Sequence, residues 1–444
     1  MRGARSIAFG LIASLMASTA YAAPVLMISV DGLRPADVID AQKRGLEIPT
    51  LRKFVTEGSY ADRVIGVLPT VTYPSHATLL TGVEPAKHGI VGNTTFDPLG
   101  INQGGWYWFA SDFKVPTLWD GARGAGMTVA NVHWPVSVGA KSITYNLPQI
   151  WRTGHSDDAK LVDALSTQGL LASLERKLGT YAPGIDESIA GDETRGRFAA
   201  QLIADKKPGF TTVYLTALDH EQHGEGPGSA KAHVVLERID AIIATLIKAQ
   251  MTAHPDSVIA VVSDHGFSAT DTEVNLFRAF IDEGLITLDS AGKIKDWSAT
   301  PWNSGGSSAI ILARPNDKEL VAKVQGLLTK LKADPANRIA DILDAGAVKA
   351  KGGNPVASFY VNFERNAYAG NFKGKDVALV NASANKGTHG YSPEAPEMRS
   401  SFMMMGPGIA KGKSYGEIDM RSIAPTLAQI MGFTLPLSKH QPLK

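Results

Sequence analysis

Val25-Leu26-Met27-Ile28-Ser29-Val30-Asp31-Gly32 is a largely apolar run that ends abruptly on a carboxylate and a glycine. Two more stretches are built the same way. Phe210-Thr211-Thr212-Val213-Tyr214-Leu215 runs towards Asp219, and Val258-Ile259-Ala260-Val261-Val262 leads into Ser263-Asp264-His265-Gly266. A helical pattern follows each. Runs of this kind suit strands covered on both faces, as in a parallel sheet packed between helices. Open parallel sheets bind ligands beyond the carboxyl ends of their strands, and the acidic residues fall on that edge. Strands near Val129 and Phe402, with a C-terminal helix from about Ser422 to Met431 closed by Gly432, complete the sheet and its cover. The expected fold is α/β, a mostly parallel central sheet with helices on both faces.

Two regions read as additions to that sheet. Residues 141–195 are polar and helical, with Asp157-Asp158 opening a helix that runs through Leu165 to Leu178. Residues 267–385 hold a strand-like Ala309-Ile310-Ile311-Leu312, a helix around Leu320–Leu331 and a strand-like Ser358-Phe359-Tyr360-Val361. Their order suggests a small α+β subdomain within one catalytic-size domain spanning 23–444. No repeat, heptad or low-complexity run interrupts it.

The start of the chain has a different character. Arg2 and Arg5 precede an apolar run from Ile7 to about Ala20, and Ala20-Tyr21-Ala22 places small residues at both cleavage positions. The run is shorter than the ~20 residues of a membrane-spanning helix. It reads as a secretory leader cut after Ala22, with a periplasmic or secreted mature chain and no membrane span. Lys and Arg number 44 against 43 Asp and Glu; without Arg2 and Arg5 one net negative charge remains. Duplex nucleic acid calls for a basic patch, and this balance offers none. The chain has no cysteine, which excludes disulfides, thiolate catalysis and Cys-type zinc sites.

The most informative segment runs Pro69-Thr70-Val71-Thr72-Tyr73-Pro74-Ser75-His76 and on through Gly82 to His88-Gly89-Ile90-Val91-Gly92-Asn93. Pro74 suits the first turn of a helix and Gly82 the residue just past its end. A helix from Pro74 to Thr81 sets Thr72 and Tyr73 at its entrance, where free N–H groups and the helix dipole favour a phosphate. Taken alone, Thr72 reads as a helix cap; as a nucleophile it needs a base or a metal ion.

Metal-ligand residue types are dispersed along the rest of the chain. Asp219 and His223 are four apart, so a helix turns them to one side. Asp264 and His265 sit together at one strand end, Asp31 at another, and His389 lies in the glycine-flanked loop Lys386-Gly387-Thr388-His389-Gly390. Carboxylate and imidazole donors without sulfur suit catalytic zinc, and manganese or iron accept the same set. His220, offset by one from Asp219, points elsewhere. His76 reads as a packing residue near the site, His88-Gly89 as a turn, and His133 as a candidate for the pocket wall.

In these motifs the chain resembles the nucleotide pyrophosphatase/phosphodiesterase family of the alkaline phosphatase superfamily. Asp31-Gly32, the Thr72-Tyr73-Pro74 segment through Asn93, Asp219 with His223, Ser263 through Gly266 and Thr388-His389-Gly390 carry the likeness. It implies an alkaline-phosphatase-like fold and two zinc ions, one held by Asp219, His223 and His389, the other by Asp31, Thr72, Asp264 and His265. It implies Thr72 as nucleophile, Asn93 as donor to a phosphate oxygen, and a phosphothreonine intermediate in the hydrolysis of phosphodiester or phosphoanhydride bonds. Tyr73 and Tyr214 stand where the family places aromatics around a nucleotide base. Thr216-Ala217-Leu218 and Gln222 depart from the family pattern around the metal aspartate. Thr72-Tyr73 in place of a Cys/Ser-x-Pro-x-Arg motif argues against sulfate esters.

The substrate expected is a small phosphate diester or nucleotide. Threonine-type phosphate monoesterases and phosphonoacetate hydrolases are the alternatives within the superfamily. Around Asn131–His133 no Lys-x-Lys or Lys-x-Arg pair grips a monoester's extra charge, although Arg152 is placed to fold over the site. A periplasmic binding protein without chemistry would need no such set of metal ligands.

Overall fold

The computed structural model describes residues 22–102 and 105–444; the expected leader, residues 1–22, lies outside the described residues except for Ala22. Eight strands form the central sheet, in the spatial order 413–414, 59–60, 402–405, 258–262, 25–30, 210–215, 129–132, 145–147. The strands from 258–262 to 145–147 run parallel, and Phe402–Met405 joins them antiparallel. All six residues of Val25–Val30 and all five of Val258–Val262 are buried. Burial on both faces explains their continuous apolar reading.

Alternate residues of the first strand enter two separate cores. Leu26, Ile28 and Val30 pack with Phe198, Leu202, Leu236, Ile239 and Ile243 from helices Ile189–Lys206 and Ala230–Ala253. Val25 and Met27 pack with Leu118, Trp119, Leu427 and Ala428 from helices Leu118–Gly124 and Ile423–Ile430. The sheet is thus covered on both faces. None of the described helices is long and apolar enough to cross a membrane.

A second, antiparallel sheet orders strands Ala299–Asn303, Ser307–Leu312, Phe359–Phe363 and Ile339–Asp344, and helix Lys318–Ala333 shares its core through Val324 and Leu328. The long strand Ser268–Val274 leaves the central sheet's edge and pairs with Asn366–Ala369 and Val380–Ala382. Its first residues also pair with the returning chain, Thr388 opposite Ser268 and Gly387 opposite Ala269.

One expected helix is two. Asp158–Leu165 ends at Ser166, and Leu170–Leu178 begins after Gly169, whose φ is +71°. Thr167 causes the break: its N–H donates to Asn146 O at 2.9 Å and its Oγ1 accepts from Asn146 N at 2.9 Å. Two bonds to the strand end outcompete continuation of the helix.

Candidate metal centre

The three acidic strand ends belong to neighbouring strands, because Val25–Val30 lies between Val258–Val262 and Phe210–Leu215. Parallel neighbours sit ~4.8 Å apart, so their carboxyl ends deliver Asp31, Asp264-His265 and the helix Ala217–Glu225 to one place. The pairing of Thr388 with Ser268 then sets His389 beside His265, rings parallel at 3.6 Å between centroids. Two groups of potential ligands result: Asp31, Asp264 and His265 in one, Asp219, His223 and His389 in the other, each with its donor atoms within 4.8 Å of one another.

The imidazoles share one arrangement. Nδ1 of His223 faces Gly387 O at 2.9 Å, Nδ1 of His389 faces Thr70 O at 3.2 Å, and Nδ1 of His265 faces Gly266 O at 3.1 Å. A carbonyl only accepts, so each Nδ1 carries the proton and each Nε2 keeps its lone pair. Those Nε2 atoms stand 3.4 Å and 3.6 Å from Asp219 (His223, His389) and 3.1 Å and 3.3 Å from Asp264 and Asp31 (His265). Metal-binding histidines are held in this way, the far nitrogen fixed by an outer acceptor. Burial depresses all three, His389 and His265 well below the ordinary imidazole value. They are neutral lone-pair donors.

The carboxylates bear the opposite strain. Burial, with Asp219 and Asp264 close by, pushes Asp31 well above its ordinary range. Burial carries Asp219 to about 7, and burial with Asp219 nearby carries Asp264 to about 7. Asp31 Oδ1, Asp219 Oδ1, Asp264 Oδ2 and His265 Nε2 are buried without a hydrogen-bond partner. Buried polar atoms are normally paired. Crowded, unpaired oxygens beside neutral imidazoles fit divalent cations, with oxygen and nitrogen donors suited to zinc.

Thr72 begins the helix Thr72–Thr81 as its first residue, two positions earlier than Pro74 signals, with extended Val71 before it and left-handed Gly82 after it. Its carbonyl accepts from His76 Nδ1 at 2.7 Å, so His76 Nε2 accepts from Ser29 Oγ at 2.8 Å. His76 Nδ1 also lies 3.6 Å from Asp264 Oδ2. With Thr70 O held by His389, the entrance of this helix is tied to both groups. Asn93 is half-buried, and its Oδ1 accepts the Tyr73 N–H at 2.9 Å. That leaves its Nδ2 as the free donor.

Two expected substrate residues do not rim a pocket. Tyr214 is 1% exposed, packs edge-on to His76 at 4.4 Å, and donates its hydroxyl to Asp31 Oδ2. Its place inside the central sheet turns the ring into the core. Tyr73 is fully buried with an unpartnered hydroxyl, its ring 5.2 Å from Trp106. The half-buried aromatic surface here is Trp106 stacked on Trp151, centroids 3.8 Å apart. His133 is buried with its ring parallel to Tyr214 at 6.0 Å. His88 ends a short helix and bonds Thr78 Oγ1 at 3.1 Å. His220 is exposed and faces Glu187 at 3.8 Å. Arg152 is occupied by Asp157 and Asp158.

Sequence reasoning missed Glu187, which lies in a polar loop without a motif. Burial, then the nearby Asp219, raises it to about 7, so a fourth carboxyl group borders the site. Gln222 was noted only as a departure from pattern; it is buried and its Nε2 donates to Gly32 O at 3.0 Å, binding the Asp219 helix to the Asp31 turn.

A parallel sheet that gathers carboxylates and imidazoles in two groups beside a threonine at a helix N-terminus defines a metal-dependent hydrolase of phosphate esters with the alkaline-phosphatase-like fold. Residues 25–392 match the type I phosphodiesterase / nucleotide pyrophosphatase family, and the chain belongs to it; it is a hydrolase of phosphodiester or phosphoanhydride bonds. Its similarity to the bis(5'-adenosyl)-triphosphatase of Homo sapiens is 24% identity over 95% of this chain and 82% of that one. The ectonucleotide pyrophosphatase/phosphodiesterase family member 3 of Mus musculus is 26% identical over 56% of this chain and 25% of its own length. Among solved structures, murine ectonucleotide pyrophosphatase/phosphodiesterase 5, an inactive threonine-to-alanine variant in complex with AMP, superposes with a TM-score of 0.65 at 20% identity, covering 95% of this chain and 97% of that one. The human protein of the same name gives 0.65 at 20%, with 94% and 97% covered.

Proposed function

We propose that the chain cleaves nucleotide phosphodiesters and phosphoanhydrides with Thr72 as nucleophile, beside two zinc ions held by Asp31, Thr72, Asp264 and His265 and by Asp219, His223 and His389. The observation that carries this reading is the common histidine arrangement, three Nδ1–H groups on backbone carbonyls and three Nε2 lone pairs facing unpaired carboxylates. Zinc bound there supplies the Lewis acidity that ionises a hydroxyl and neutralises charge on a departing oxygen. Manganese or iron fit the same donors.

Thr72 Oγ attacks phosphorus in line, the bond from phosphorus to the leaving oxygen breaks, and a phosphothreonine results. Water then attacks that phosphorus, the bond from phosphorus to Thr72 Oγ breaks, a proton of the water restores the threonine hydroxyl, and the phosphate product leaves. Asn93 Nδ2 and the Thr72 N–H at the helix entrance donate to the non-bridging oxygens, in place before charge develops. Asn93 is positioned for this by its own bond to Tyr73 N.

Diesters and anhydrides of nucleotides are favoured over monoesters. A monoester adds a charge, and Glu187 borders the site while Arg152 is engaged by two aspartates. A nucleotide's base has Trp106 and Trp151 to stack on, a contact worth ~1–3 kcal/mol, where the buried Tyr73 and Tyr214 offer no free face. The AMP complex of the murine structure and the triphosphatase activity in the name of the human relative agree with this substrate class. Export by the leader at residues 1–22 is part of the proposal. The test is metal analysis with turnover of bis-p-nitrophenyl phosphate, p-nitrophenyl phosphate, phosphonoacetate and a dinucleoside polyphosphate. Diester and polyphosphate cleavage that vanishes in Thr72→Ala is expected. Full activity in that variant refutes the nucleophile, and preference for the monoester or phosphonoacetate refutes the substrate class.

A further inference from the structure

A cavity of about 440 Å³ begins at Thr94, the residue after Asn93. Thr94 through Gly100 form one wall, and Phe277, Lys293, Trp302, Asn303, Asn371 and Phe372 most of the other. Both walls continue from chain segments that border the site. Gly92, next to Asn93, packs so closely on Trp302 that a Cβ there would stand 3.3 Å from the ring. Asn303 adjoins Ser304, whose carbonyl presses on Gly390, and Gly306 N donates to His389 O at 2.7 Å. The cavity wall is therefore continuous with the loop that carries His389, a member of the Asp219 group of ligands.

The lining is aromatic with polar groups at its rim. Phe96 and Trp302 are tilted with centroids 5.3 Å apart, and Phe277 and Phe372 pack edge to face at 5.6 Å. Lys293 and Asn371 line the cavity and are exposed, and the Lys293 ammonium has no ion-pair partner among the described residues. Small-molecule sites have this make-up, mostly apolar walls of ~300–1,000 Å³ with a few polar groups. The four rings give a base an apolar, aromatic wall, and a free ammonium suits phosphate oxygens.

We infer that this cavity receives the departing half of the substrate, the second nucleoside of a dinucleoside polyphosphate. The inference rests on the functional reading above. In-line displacement expels the leaving group away from Thr72, towards the group of ligands that contains His389, and the cavity wall at Asn303 joins the His389 loop through Ser304. A substrate with a nucleoside at each end then has an aromatic surface for each.

The experiment compares diadenosine triphosphate with ATP, substrates that share the retained adenylate and differ in whether a nucleoside departs. The full-length zinc-loaded protein is assayed as wild type, Phe372→Ala, Lys293→Ala and Asn371→Ala. These positions are half-buried or exposed, and circular dichroism and Tm confirm folding. The ratio of kcat/KM for diadenosine triphosphate to that for ATP should fall about tenfold in Phe372→Ala, the scale of one base–aromatic stack. It should fall severalfold in Lys293→Ala. An unchanged ratio in all three variants would overturn the inference while leaving the nucleotide hydrolase intact. Wild-type protein that cleaves neither compound would overturn the functional reading and the role of the cavity together.

Discussion

Removing one oxygen from Tyr214 should weaken metal binding more than any change to the aromatic ring. Tyr214 donates its hydroxyl to Asp31 Oδ2, while Asp31 Oδ1 faces His265 Nε2 at 3.3 Å. One carboxylate oxygen is thus held from behind and the other is presented to the ion. Tyr214→Phe keeps the ring that packs on His76 at 4.4 Å, so the core barely changes. It strips a buried carboxylate of its donor. A hydrogen bond to a charged group contributes ~1.5–3 kcal/mol, and outer partners of metal ligands typically alter affinity ~10–100-fold. The two scales agree at about 1.4 kcal/mol per factor of ten. Zinc affinity at the Asp31 group should therefore drop about 10- to 100-fold, measured by competition with a chromophoric chelator, and activity at limiting zinc should drop with it. KM at saturating zinc should change little. A Tyr214→Phe protein with wild-type zinc affinity would refute the reasoning. A Tyr214→Phe protein with normal zinc binding and a raised KM would return Tyr214 to the substrate pocket.

Asn93→Ala should lower kcat by about 10²–10³, the usual loss for one preorganised oxyanion donor, and an effect confined to KM would remove Asn93 from that role. The pH dependence of stability follows from the site carboxylates. Asp219 and Asp264 titrate near 7 in the folded metal-free protein, above their unfolded values of ~3.9. Their protonated forms stabilise the fold, fully so below pH ~4, and that stability is lost as pH rises through about 7. Bound zinc favours the ionised forms, so the Tm difference between zinc-loaded and chelator-treated protein should widen from pH 5 to pH 8; a constant difference contradicts the raised values. Gly266→Ala puts a Cβ 2.0 Å from Glu397 O and 2.7 Å from Arg399 O. Forced backbone shifts of this kind cost about 1–3 kcal/mol, so the denaturant midpoint should fall, with zinc affinity lowered because His265 is the adjacent residue.

How much of this was legible depends on whether the information is local. The strand ends were, because a strand buried on both faces writes its own pattern and the residue after it marks the sheet edge. The i, i+4 spacing of Asp219 and His223 is likewise local, and both sit on Ala217–Glu225. Tyr214 was misread because a strand residue's face depends on its neighbours, and here His76 and Asp31 claim both the ring and the hydroxyl. The break between Leu165 and Leu170 depends on Asn146, some 20 residues away, which no helical periodicity reports. Glu187 carries no motif, and only the fold brings it near Asp219.

The short pairing of Gly387-Thr388 with Ser268-Ala269 also sets an order of assembly. One group of ligands, Asp31, Asp264 and His265, is encoded once 265 residues have been made; the other waits for His389. A chain interrupted anywhere between those two points holds a complete first set and an unfinished second. The pairing that brings His389 to the site is one the chain can make only after residue 389 exists, and it turns a single place for an ion into a pair.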